Sequence, residues 1–95
     1  MADRHYQIFE TRQYVSDLKR FDPPVCSRVQ KKLQAYVYPQ LRMEPHVGLN
    51  IQKLKGWVPE TWRYRIGDWR FFYEVQEKEK RISMTAISHR REAYR

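Results

Sequence analysis

The segment WRYRIGDWRFFYEV, Trp62 to Val75, restricts the possible folds of this chain more than any other stretch. Gly67-Asp68 separates two strongly β-prone runs, and a two-residue loop at that point pairs Ile66 with Trp69 and Arg65 with Arg70. Successive side chains of a strand point to opposite faces, so this register sorts the hairpin into two unlike sides. Trp62, Tyr64, Ile66, Trp69, Phe71, Tyr73 and Val75 share one face, while Arg63, Arg65, Arg70, Phe72 and Glu74 share the other. The first face predicts a core and the second a basic surface.

An aromatic face of this kind needs a cover, and the first half of the chain supplies it. HYQIF at residues 5–9 alternates loosely and predicts a short first strand. From Thr11, a good N-cap, Tyr14, Val15, Leu18 and Phe21 recur at helical spacing, with Arg12, Asp17, Lys19 and Arg20 on the other side. Asp22-Pro23-Pro24 ends that helix and starts a second, because proline is tolerated in a first helical turn. Val25, Val29, Leu33, Tyr36 and Val37 carry the second helix to Pro39, with Arg28, Lys31 and Lys32 facing solvent. Residues 40–50 read as a connector into a short strand at Ile51 to Leu54. Arg81 to Ser88 predict a last strand whose Ile82, Met84 and Ala86 join the core. The predicted class is α+β: an antiparallel sheet of four or five strands with an N-terminal helical hairpin on one face, a single domain over residues 1–95.

Composition then limits the function. A domain of 95 residues buries only about two thirds of its unfolded surface, so function is expected on its exterior. A net charge of +8 calls for a polyanionic partner such as nucleic acid or an acidic protein. The lone Cys26 cannot form an internal disulfide, which points to a reducing cytoplasm. The longest uncharged stretch, Leu33 to Leu41, is far short of the roughly 20 residues that cross a bilayer. No membrane association is expected. His5, His46 and His89 lack metal-ligand spacing, and three glycines in the whole chain make no phosphate loop, so neither metal nor cofactor is expected.

Arg63, Arg65 and Arg70 crowd one exposed side of the hairpin, and like charges so placed repel unless an anion lies among them. Pairing with Glu60, Glu74 or Glu92 as ordinary surface charge is the plainer explanation. Phe72 beside the arginines can stack on a base, as single-stranded RNA is often held, or pack under a loop. The last strand can bring His89, Arg90, Arg91 and Tyr94 to the same edge.

Three segments in this order, L-K-G at Leu54 to Gly56, the hairpin at Trp62 to Val75, and I-S-H-R-R-E-A-Y-R at Ile87 to Arg95, resemble the RelE/ParE superfamily of toxins from toxin–antitoxin pairs. The G-D-[aromatic]-R turn followed by H-R-x-x-x-Y is closer to the RelE branch than to the gyrase-directed ParE branch. The resemblance implies a cytoplasmic, ribosome-dependent endoribonuclease that cuts mRNA in the A site without a metal, by attack of the 2′-oxygen on the adjacent phosphate. It also implies a RelB-like antitoxin as partner and contact with operator DNA only through that complex. By the same resemblance Lys53, Lys55 and Arg63 are expected on the RNA, and Phe72 and Arg91 are expected there from their own placement beside the arginines. Arg65, Arg70, Arg90, Tyr94 and His89 are expected in the chemistry.

Such a cut needs a group that takes the 2′-OH proton, cations around the phosphorane, and a group that assists the departing 5′-oxygen. A guanidinium stays protonated at any ordinary pH, so it stabilises charge but is a poor base, and Arg63 and Arg65 leave the base open. His89 has the ordinary pKa nearest neutrality, although a single histidine is as readily structural. Tyr94 can stack on a base or move a proton. The alternative reading is a binding module, either a ParE-like gyrase inhibitor or a degenerate toxin acting as co-repressor.

Overall fold

The computed structural model describes residues 5–90. The elements run β1 (Gln7–Glu10), α1 (Arg12–Lys19), α2 (Pro23–Lys32), a π-helical turn (Leu33–Val37), α3 (Tyr38–Met43), β2 (Ile51–Lys53), β3 (Trp62–Ile66), β4 (Trp69–Gln76) and β5 (Arg81–His89). Five strands form one sheet in the order β1-β5-β4-β3-β2, with the helices packed on one side. The hairpin β3–β4 has the predicted register, Ile66 opposite Trp69 and Arg65 opposite Arg70. Gly67 makes this tight loop possible with a φ of +55°, a left-handed conformation that costs a side-chain-bearing residue energy. The sheet is antiparallel except at its edge, where β1 runs parallel to β5.

The core lies between that sheet and the helices. Tyr14 and Leu18 of α1, with Val29, Leu33, Val37, Tyr38 and Leu41 along the second helical run, bury against Tyr64, Phe71, Tyr73, Ile82, Met84 and Ile87. The buried tyrosines keep partners for their hydroxyls, as buried polar groups must. Tyr73 donates to the Pro45 carbonyl at 2.6 Å, Tyr64 to Gln40 Oε1 at 2.6 Å, and Tyr38 to the Glu10 carboxylate. Each bond ties a strand to the layer above it. Burial pushes the hydroxyl pKa values of Tyr14, Tyr38 and Tyr73 well up, so they stay neutral donors.

Besides the parallel β1 and the exposed Tyr36 on the second helix, three further details depart from the sequence reading. The second helix does not stop at Pro39 but continues to Met43, because the chain widens into a π turn just before it. Tyr38 N–H donates to the Leu33 carbonyl five residues back, and the wider turn makes room for a proline ring that lacks an N–H. Asp17, expected on the solvent side of α1, is only 5% exposed. Its Oδ2 accepts the Ile87 N–H at 2.9 Å and its Oδ1 accepts from Gln13 Nε2 at 2.7 Å. β1 covers the β5 edge only as far as Met84, so α1 supplies the remaining partners from Thr11 and Asp17.

The third departure concerns β5. Phe72 faces Ala86 but Tyr73 faces Met84, leaving Thr85 as an extra residue in a β-bulge. A bulge reverses the alternation beyond it. Ala86 therefore joins the arginine side rather than the core, and Ile87 takes the core position.

Candidate nucleic-acid interface

On the face of the sheet away from the helices, alternation builds two rows of side chains across the strands. Arg65, Arg70 and Ser88 lie side by side in one row, and Gln52, Arg63, Phe72 and Ala86 in the next. Arg63 and Arg70 are partly buried and Arg65 is exposed. One terminal nitrogen of Arg63 donates to Gln52 Oε1 at 2.7 Å, while its Nε is buried with no hydrogen-bond partner. Burial and then repulsion from Arg70 and Arg65 hold its pKa below the ordinary arginine value. Arg65 donates from Nε to the Gly67 carbonyl at 3.2 Å. Among the described residues no carboxylate pairs with Arg63, Arg65 or Arg70; Glu60 is engaged by Lys53 and Asp68 by Arg90. Three cations with no paired carboxylate among the described residues repel one another, a repulsion that an anion such as phosphate would relieve.

An open cleft of about 580 Å³ adjoins Arg63 and Arg65. Asn50 and Gln52 line it, and Asn50 is fixed by donating from Nδ2 to the Arg65 carbonyl at 2.7 Å while accepting the Arg65 N–H on its own carbonyl at 2.9 Å. The sequence reading missed both residues. Gln52 lies opposite Arg63 only because β2 pairs antiparallel with β3, and a short strand after an aperiodic connector carries no register signal of its own.

The structure separates some expected site residues from this group. Arg63, Arg65, Arg70 and Phe72 share the face, and Arg90 reaches the hairpin turn, its N–H bonded to the Asp68 carbonyl at 2.8 Å and its guanidinium 3.8 Å from the Asp68 carboxylate. Lys55 sits in the turn after β2, beside Trp57. Lys53 pairs with Trp62 and so takes the helix-side parity, its Nζ 3.1 Å from Glu60, whose carboxyl that contact holds below its usual range. His89 is also displaced. The Thr85 bulge puts it opposite Trp69 on the helix side, the two rings edge to face at 4.7 Å. His89 therefore stands on the opposite face of β5 from the arginine row. Arg91 and Tyr94 lie outside the described residues. Phe72 does not present a bare ring, because Trp57 stacks over it at 5.9 Å.

The described residues hold no group of three or more His, Cys, Asp or Glu side chains that could bind a metal, and no helix among them is long and apolar enough to cross a membrane.

Residues 8–94 match the family model described as the ParE toxin of type II toxin–antitoxin systems. No curated protein sequence matches the chain significantly. Among solved structures, the RelBE2 toxin–antitoxin complex of Mycobacterium tuberculosis is similar at a TM-score of 0.72 and 20% identity, covering 90% of this chain and 92% of that one. The RelE–RelB complex of Pyrococcus horikoshii aligns at 0.61 and 24% identity over 90% and 96% of the two chains. A free-state mutant of the E. coli toxin RelE aligns at 0.64 and 15% identity over 95% and 88%. At these identities the likeness is one of fold, and it is the fold expected from the hairpin and its helical cover.

Proposed function

The chain belongs to the ParE toxin family of type II toxin–antitoxin systems, and we propose that within it this protein is a RelE-like endoribonuclease acting on mRNA at the ribosome. The observation that carries the reading is the cluster of Arg63, Arg65 and Arg70, with the Arg63 Nε buried and unpartnered. Such a cluster is suited to a phosphorane, which carries more negative charge than the phosphodiester it forms from. In the proposed reaction the 2′-oxygen attacks the adjacent phosphorus, a cyclic 2′,3′-phosphate forms, and the bond to the 5′-oxygen breaks. The 2′-OH proton leaves to a base, and the 5′-oxygen gains a proton. Arg70 and Arg65 stabilise the charge, Arg90 at the hairpin turn assists the leaving group, and Tyr94 stacks or moves a proton. The protein is neutralised by a cognate RelB-like antitoxin that contributes carboxylates to the +8 toxin, and the pair represses its own operon. All of this takes place in the cytoplasm and needs no metal.

The second reading, a ParE-like inhibitor of DNA gyrase, draws on the position of His89. With that ring on the helix side, the described part of the arginine face offers cations and no group that titrates near neutrality. The two readings separate in one experiment: induce the protein, map mRNA ends on translated and untranslated messages, and follow DNA replication. Cuts confined to translated messages support the nuclease. Intact messages with stalled replication support the gyrase reading. On programmed ribosomes, Arg70→Ala and Arg90→Ala should slow single-turnover cleavage by about 100- to 1,000-fold, the scale of removing one preorganised donor from a transition state. Wild-type rates for both would remove the nuclease assignment.

A further inference from the structure

We propose that Trp57 is a stacking platform for a nucleobase of single-stranded RNA, adjacent to the phosphate held by the arginines. The inference rests on the nucleic-acid reading of that face and names a recognition element outside the arginines. Trp57 is 53% exposed, although a tryptophan normally buries most of its surface. It also rests on another ring. Its ring lies over Phe72 with centroids 5.9 Å apart and planes within 15° of parallel, so one π face is fixed against β4 and the other faces outward. Gly56 allows this, its φ of +76° turning the loop so that the following residue comes back over the sheet.

The surroundings select the ligand. Phe72 is the direct register partner of Arg63, so a base resting on Trp57 sits one strand away from the partly buried guanidinium. Lys55 lies in the same loop and borders the same hollow as Trp57. A flat π surface flanked by cations is the arrangement that holds an unpaired base together with its phosphate, since every base has a stackable face and every link carries charge. A duplex, with its bases stacked internally, presents no such face. Were Trp57 only a lid for Phe72, a leucine would cover that ring equally well, and this difference is testable.

The probe is a single-stranded RNA heptamer with 2′-O-methyl riboses, which cannot be cut, titrated into the purified full chain at fixed salt with inorganic tripolyphosphate as the charge-only control. Trp57→Leu should bind the heptamer about tenfold or more weakly, Trp57→Phe close to wild type, and both should bind tripolyphosphate and melt as wild type does. Equal heptamer binding by wild type and Trp57→Leu, with Arg63→Ala weakened, would overturn the platform and leave the RNA face standing. A matching loss on tripolyphosphate would also overturn it, by showing a disturbed charge cluster. Failure of the wild type to bind the heptamer at all would overturn the platform, and the nuclease reading would still be decided separately by cleavage on programmed ribosomes.

Discussion

The two faces of β3 and β4 come from one alternating segment, yet they obey opposite rules. On the helix side Tyr64, Phe71 and Tyr73 are buried, and the buried hydroxyls find partners at Gln40 and Pro45. On the other side no carboxylate among the described residues pairs with Arg63, Arg65 or Arg70, and the buried Arg63 Nε has no partner. The first face is arranged for stability, with polar groups satisfied and apolar groups covered. The second tolerates repulsion and an unmet donor, which is the pattern expected where a ligand completes the site. Position within the alternation, and not residue type alone, decides which rule applies.

The largest expected effect tests the buried side. Phe71→Ala removes a side chain that is 1% exposed and should cost about 3–5 kcal/mol in a denaturant titration, with activity lost along with the fold. A normally melting Phe71→Ala protein that had lost only RNA cleavage would mean that the faces are wrongly assigned. Next in size is Asp17→Ala, which leaves the Ile87 N–H unpaired where α1 closes the β5 edge and should cost about 1–3 kcal/mol. Stability unchanged within error would show that β5 does not depend on the helix there.

The arginine side should behave in the opposite sense. Arg63→Leu removes a repelled, partly desolvated guanidinium at the cost of one exposed hydrogen bond to Gln52, so thermal melting should be unchanged or raised by up to about 1 kcal/mol while toxicity falls. A large destabilisation would place Arg63 with the structural residues and dissolve the contrast between the faces. The smallest effect lies at the far end of the sheet. The His46 backbone N–H, followed by the His46 side chain, holds the Glu44 carboxyl below its usual pKa of about 4.5. A depressed folded pKa contributes stability above the unfolded value and loses it as pH falls through the folded one. Wild type should therefore exceed Glu44→Gln by less than about 0.5 kcal/mol at pH 6, the pair being solvent-screened, and the difference should close toward pH 3 in parallel acid melts. A gap that widened in acid would reverse the sign of the linkage.

How far the sequence could be read depended on how local the cause was. The hairpin register, its two faces and the buried Tyr64, Phe71 and Tyr73 follow from a two-residue turn and a period of two, both properties of adjacent residues. The grouping of Arg63, Arg65 and Arg70 was legible for the same reason. What the tertiary structure alone decided lies where elements from different parts of the chain meet. The Thr85 bulge falls where β1 leaves the β5 edge and α1 takes it over; it moves Ala86 to the arginines, Ile87 to the core and His89 to the helix side. Asp17 is buried because that same edge needs an acceptor. Trp57 covers Phe72, and Gln52 meets Arg63, because β2 and its loop fold back on the hairpin. Alternation is set by the covalent geometry of one strand, whereas a bulge, an edge partner or a loop's resting place is set by whatever packs against it. That information is distributed over the whole chain, and no window of neighbouring residues contains it.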